Sequence, residues 1–140
     1  MTSVSYYSAA LDVANGAIDF DTDTFKAMLV TSSYTPSQTH SKRSDITNEV
    51  SGTGYSSGGQ AIAVSTSRSG GTISITFGSV TWSSPVSGFT ARYAIVYKSR
   101  GGLASADELV CCIDPTGGAV AANGQSYTLS IATPMTITVP

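Results

Sequence analysis

Between Thr72 and Phe77 the chain alternates without a fault, with Ile73, Ile75 and Phe77 at one parity and Thr72, Ser74 and Thr76 at the other. Successive strand side chains point to opposite faces, so this stretch is a half-buried strand with one wet face. The same period recurs on both sides of it. Residues 61–67 make a moderately apolar strand, and Ser69-Gly70-Gly71 supplies a hairpin turn. Val80 and Trp82 continue past Gly78, where a bulge is expected, and Pro85 ends the run. Phe89 to Lys98 is the longest strand candidate, placing Phe89, Ala91, Tyr93, Ile95 and Tyr97 on one side, and is expected to be central. After LVCCID and the turn at Pro115-Thr116-Gly117-Gly118, Tyr127, Leu129 and Ile131 face inward opposite Ser126, Thr128 and Ser130; Met135, Ile137 and Val139 follow past Pro134. About eight strands separated by short turn signals predict an all-β fold, an antiparallel β-sandwich or barrel with at most one or two short helices. At 140 residues, residues 1–140 form a single β domain.

The first part of the chain is less regular. Tyr6 to Asn15 suits a helix, with Tyr7, Leu11 and Ala14 at helical spacing and Gly16 placed to end it in the left-handed conformation. An extended N-terminal arm is the alternative, since Ser3, Ser5 and the Tyr pair also suit a strand. Phe25 to Val30 is apolar at both parities apart from Lys26, the pattern of a strand covered on one side by a second sheet and on the other by a helix or a neighbouring subunit. An excursion over residues 32–59, rich in Ser, Thr, Gly and Tyr, comes next. Connections this long in a compact domain are usually functional or disordered, and this one is expected to be a contact surface. Within it, residues 41–50 suit a single helical turn capped by Ser41 or Ser44. Gly52, Gly54, Gly58 and Gly59 let a surface loop turn tightly; they lack the pattern and the strand–helix setting of a phosphate-binding loop.

Composition narrows the function classes. Charged residues are 11% of the chain, against about 25% in ordinary soluble domains. Ser and Thr together fill 41 of 140 positions, so the polar surface is mostly hydroxyl and amide. Such a surface has few charges to strip of water when two copies meet, which favours self-assembly. A net charge of −2 with scattered basic residues gives no footprint for nucleic acid. No apolar run approaches the ~20 residues of a membrane span, and the N-terminus lacks the pattern of a secretory signal, so folding in a cytoplasm is expected.

No reactive constellation emerges. Serine nucleophiles need a base and an orienting group, and the single histidine, His40, lies in the excursion with no supporting spacing. Cys111 and Cys112 are neighbours, so on a strand they point to opposite faces and read as reduced, partly buried thiols. Asp19, Asp21 and Asp23 alternate like ligands of a calcium loop, but the Gly and terminal Glu of that motif are missing; bonding to local amides explains them. Tyr93, Tyr97, Tyr127 and Trp82 sit in strand patterns that a core accounts for. Tyr34, Tyr55 and one of Tyr6 or Tyr7 remain as exposed candidates for a sugar-stacking platform, which keeps a carbohydrate-binding module as a further reading. No enzymatic activity, cofactor or metal is expected.

The strings GAIDFDTDTFKAMLVTSSYTP, NEVSGTGYSSGG, VTWSS and FTARYAIVYK resemble those of small structural proteins of tailed-bacteriophage virions, over most of the chain from about residue 5 onward. The resemblance implies a capsid decoration (cement) protein on the head surface, assembled in the host cytoplasm, with the major capsid protein for a partner. The rotational symmetry of such a shell and the doubly apolar strand at Phe25 to Val30 add further copies of itself, as a homotrimer, to the expected partners. A tail, baseplate or fibre component with possible carbohydrate binding is the alternative. The CCIDPTGGAVAANGQ region departs from the pattern. Within the contact loop 32–59, Tyr34, His40, Lys42, Arg43 and Tyr55 are the side chains expected to meet a partner.

Overall fold

The computed structural model describes residues 3–83, 88–121, 124–132 and 135–140; Pro85 and Pro134, expected to break strands, lie outside the described residues. In chain order the elements are β1 (Val4–Ser5), α1 (Tyr7–Ala14), β2 (Phe25–Val30), a 3₁₀ turn (Arg43–Asp45), β3 (Gln60–Ile62), β4 (Val64–Ser69), β5 (Thr72–Phe77) and β6 (Val80–Trp82). Then follow β7 (Thr90–Ala91), β8 (Tyr93–Lys98), β9 (Leu109–Ile113), β10 (Val120–Ala121), β11 (Tyr127–Leu129) and β12 (Met135–Thr138). The fold is all-β and antiparallel. A five-stranded sheet runs β1-β9-β8-β2-β3; smaller sheets run β12-β5-β4, β11-β6 and β10-β7. None of these described sheets closes on itself, so the barrel alternative is set aside.

Among the described residues twelve strands replace the expected eight, because two long runs are broken by a residue out of phase and the two-residue β1 and β10 are added. Ala63 separates β3 from β4, and its carbonyl accepts from the Gly78 amide at 2.8 Å. Phe77 and Val80 are both buried although three positions apart, which is the slip expected at Gly78. The run from Phe89 to Lys98 does not keep one face. Phe89 and Ala91 join the core between the layers, whereas Tyr93, Ile95 and Tyr97 join the opposite side of the five-stranded sheet. The break falls at Arg92, whose amide turns to the Val30 carbonyl (2.8 Å) and whose guanidinium pairs with Asp114 (2.8 Å). β8 is nonetheless central, between β9 and β2.

Two cores result. The larger lies between the five-stranded sheet and the smaller sheets and gathers Phe25, Ala27, Leu29, Val96, Ile75, Phe77, Trp82, Phe89 and Leu129. The smaller covers the other face of the five-stranded sheet, with Met28, Val30, Ile95, Tyr97 and Cys112 beneath Tyr6 and Tyr34. The second face of β2 is therefore covered by the chain's own excursion and N-terminal segment, in place of the helix or neighbouring subunit expected there. The homotrimer then rests on shell symmetry alone. Cys111 and Cys112 are reduced, buried and on opposite faces.

At the N-terminus the helix and the arm both form: β1 pairs with β9, and α1 follows directly. Gly16 has φ 74° and closes the helix as expected. The buried face of α1 differs from the sequence expectation. Ala9 is buried and Val13 packs on the core, while Tyr7 and Leu11 are 65% and 62% exposed. Asp19, Asp21 and Asp23 form a local turn in which Asp19 Oδ1 accepts from the Asp21 amide (2.9 Å) and Asp23 Oδ2 from the Asp19 amide (2.7 Å).

Candidate contact surfaces

Residues 32–59 leave the end of β2 and come back beside it. Past the short β3, the Thr31 amide donates to Asn48 O and the Val50 amide to Leu29 O, both at 2.9 Å, so residues 48–50 continue the sheet edge that β3 leaves open. Glu49 lies at the centre of this return. Its carboxylate accepts from the Tyr55 hydroxyl (2.8 Å), the Ser57 hydroxyl (3.1 Å) and the Gly58 amide (2.5 Å). The Tyr55 hydroxyl in turn accepts from the Leu29 amide at 3.0 Å. The Tyr55 ring lies between Trp82 and Phe89, at centroid distances of 6.1 and 5.7 Å. Gly59, at φ 73°, passes so close to Ala27 that a Cβ would stand 1.8 Å from the Ala27 oxygen, which leaves no residue but glycine there.

A second attachment joins the middle of the excursion to β9. Arg43 Nε donates to Asp107 Oδ2 at 2.7 Å, and its guanidinium lies 5.2 Å from the centre of the Tyr97 ring. Lys42 Nζ reaches Glu108 Oε1 at 3.1 Å, and Arg100 grips the same carboxylate from the other side. Asp107 and Glu108 are 1% and 4% exposed, so these charges stay only because they are paired. The Asp45 carboxylate accepts from the Ser41 and Lys42 amides and caps the 3₁₀ turn, the role expected of Ser41 or Ser44. A third attachment is a chain of hydroxyls: Tyr34 bonds His40 Nδ1 at 2.9 Å and the Tyr6 hydroxyl at 3.2 Å.

These contacts explain the titration behaviour. Burial works against the Glu108 carboxylate, but hydrogen bonds from Arg100 and Lys42 outweigh it and hold the carboxyl below its usual range. The Lys42 and Ser41 amides do the same for Asp45. Burial pushes the Tyr97 hydroxyl up to about 12 and moves Tyr55 and Tyr6 further in the same direction.

The structure thus brings Tyr34, His40, Lys42, Arg43 and Tyr55 to the inner side of the excursion, where each is engaged by the chain itself. Tyr34 is 2% exposed and Tyr55 half-buried, which corrects the expectation that both stand free. Tyr6 is buried as well, leaving Tyr7 exposed of that pair. Each Tyr has an apolar ring that an uncovered sheet face can bury, and its hydroxyl finds a partner there. The exposed side of the loop is mostly hydroxyl, with Ser32, Ser33, Thr35, Thr39, Ser51 and Ser56 among its residues, and carries a charge at Asp45.

A larger uncharged surface covers the second layer. Opposite residues of an antiparallel pair share a face. In the ladder β12-β5-β4, Ser67 stands opposite Ser74 and Ser74 opposite Thr136; Ser69, Thr72 and Thr138 form the next row. Ser65 and Thr76 complete the sheet. The same two chain segments continue as β6 and β11, where Thr81 and Thr128 bond at 3.0 Å through their hydroxyls. Every one of these side chains is Ser or Thr, and the apolar partners Ile75, Phe77, Val80, Trp82 and Leu129 all point the other way into the core. The sequence showed the wet face of β5. What it did not show was which other strands lie beside it, nor that Glu49, Asp107 and Glu108 hold the excursion down.

No protein-family model, no curated protein and no solved structure matches this chain.

Proposed function

We propose that this chain is a non-catalytic structural protein of a tailed-phage virion, a decoration protein that lies against the outer surface of the head and stabilises it. The observation that carries this reading is the hydroxyl face over β4, β5, β12, β6 and β11, which holds no charged side chain in its ladder positions. A flat, neutral, hydrogen-bonding surface docks on other protein with little desolvation cost, and repeated copies on a repeating shell gain from many weak contacts. The pinned excursion supports the same reading, because a loop already ordered loses little entropy on docking. The string resemblance supplies the virion setting. Trp82 and Tyr127 face inward and are buried, so neither offers a ring to a glycan.

The test is location and occupancy. Antibody labelling of intact virions is expected to mark the head surface; label confined to the tail tip overturns the reading. Thr136→Glu puts a charge on the hydroxyl face two strands from β4, and occupancy on heads is expected to fall by about tenfold. Unchanged occupancy removes that face as the docking surface.

A further inference from the structure

The edges of the five-stranded sheet are blunt. β1 has two residues and β3 three, too short to recruit another strand. β4 is different. It pairs with β5 in unbroken register over six residues, from Val64↔Phe77 to Ser69↔Thr72, and it is the last strand of its sheet. Its far edge carries no Pro and no bulge, and Arg68 is its one charge. These are the devices by which sheet proteins protect an edge, and β4 uses almost none of them. Both of its faces are open as well, since Ser65, Thr66, Ser67, Arg68 and Ser69 are all exposed. Its pairing with β5 is most of what holds it.

The direction of the free backbone groups follows from the turn. Gly70 has φ 59° and leads a two-residue connection between Ser69 and Thr72, the arrangement with Gly at the first central position. In such a hairpin the residues flanking the turn exchange ladder bonds, so Ser65, Ser67 and Ser69 bond to β5. The amides and carbonyls of Val64, Thr66 and Arg68 then point to the open edge.

From this we infer that a second copy of the chain pairs with β4, antiparallel, about a two-fold axis through Thr66. The axis stands perpendicular to the sheet, because this keeps the buried face of each copy on the same side. Thr66 then opposes Thr66 of the partner copy, Ser65 opposes Ser67, and Val64 opposes Arg68. The register is self-complementary and never sets Arg68 against its own copy, so no like-charge pair forms. The result is a continuous sheet in the order β12-β5-β4-β4-β5-β12, with both hydroxyl faces on one side. This inference concerns the isolated chain and stands whether or not the protein docks on a phage head.

The experiment is the mass of the purified full chain by light scattering across a dilution series. The expected result is a species at twice 14.3 kDa that dissociates on dilution. A mass of 14.3 kDa throughout, or three times that value, overturns the inference. Thr66→Lys places like charges directly opposite each other, and the dimer is expected to weaken by about tenfold and recover in high salt; an unaffected dimer overturns the register. A cysteine pair reads the register without relying on weakened binding. Thr66→Cys is expected to form an intermolecular disulfide on mild oxidation, whereas Ser65→Cys, which faces Ser67, is not. The native thiols, buried in the core, do not compete. Equal cross-linking at both positions, with Trp82 fluorescence confirming a folded protein, overturns the proposal.

Discussion

Tyr55→Phe removes one oxygen atom and isolates what ties the excursion to the sheet. That oxygen accepts from the Leu29 amide at 3.0 Å and donates to Glu49 at 2.8 Å. Leu29 is fully buried, and between the end of β3 and the return at residues 48–50 its amide is met by the Tyr55 hydroxyl. With phenylalanine the ring packing is kept, the Leu29 N–H is orphaned, and Glu49 loses one of its donors. An unsatisfied buried donor costs about 1–3 kcal/mol. A loss of ~2 kcal/mol lowers Tm by about 4–8 °C in a domain of this size. Tyr55→Ala also removes the ring from beside Trp82 and Phe89 and is expected to cost about 3–5 kcal/mol. Urea unfolding followed by fluorescence is the assay, because Trp82, the single tryptophan, stands 6.1 Å from the Tyr55 ring. A change below about 0.5 kcal/mol for Tyr55→Phe, with emission unaltered, refutes the argument that this hydroxyl closes the sheet edge.

The other consequences concern the charged attachment and the thiols. Arg43→Ala leaves Asp107 buried without its guanidinium and is expected to destabilise by about 3–5 kcal/mol, read by urea midpoint; Asp107→Asn together with Arg43→Met should recover most of that loss. Because Glu108 and Asp45 are held below their ordinary range in the folded state, they stabilise it at pH above the unfolded carboxylate pKa and release that stability as pH falls through the folded one. Hydrogen-exchange protection at residues 41–46, measured against the intrinsic rate at each pH, is therefore expected to fall below about pH 4 while the central strands stay protected; simultaneous loss across the sheet argues against a separate attachment. Burial pushes the Cys112 thiol up to about 12 and Cys111 in the same direction, so neither is expected to react with a thiol reagent at neutral pH until the protein unfolds.

Local chemistry in the sequence settled much of this protein. Period-two alternation at Thr72–Phe77 and the Gly70-Gly71 turn fix a hairpin whatever surrounds it, since side-chain direction and turn geometry are properties of a few adjacent residues. Gly16 ending the helix, the slip at Gly78 and the opposed cysteines follow for the same reason. The double apolarity of Phe25–Val30 likewise required cover on both faces. The source of that cover was a tertiary matter, because any apolar surface of suitable size satisfies the requirement, and here Tyr6 and Tyr34 of the same chain supply it. The inward turn of Tyr34, Tyr55, Lys42 and Arg43 depends on partners far along the chain, Trp82, Asp107 and Glu108 among them. The run at Phe89 changes face at Arg92 because Val30 and Asp114 draw that residue aside. The hydroxyl face depends on strand order. Serines and threonines at every second position mark a wet side on each strand, but only the pairing of β4, β5 and β12 sets those sides next to one another.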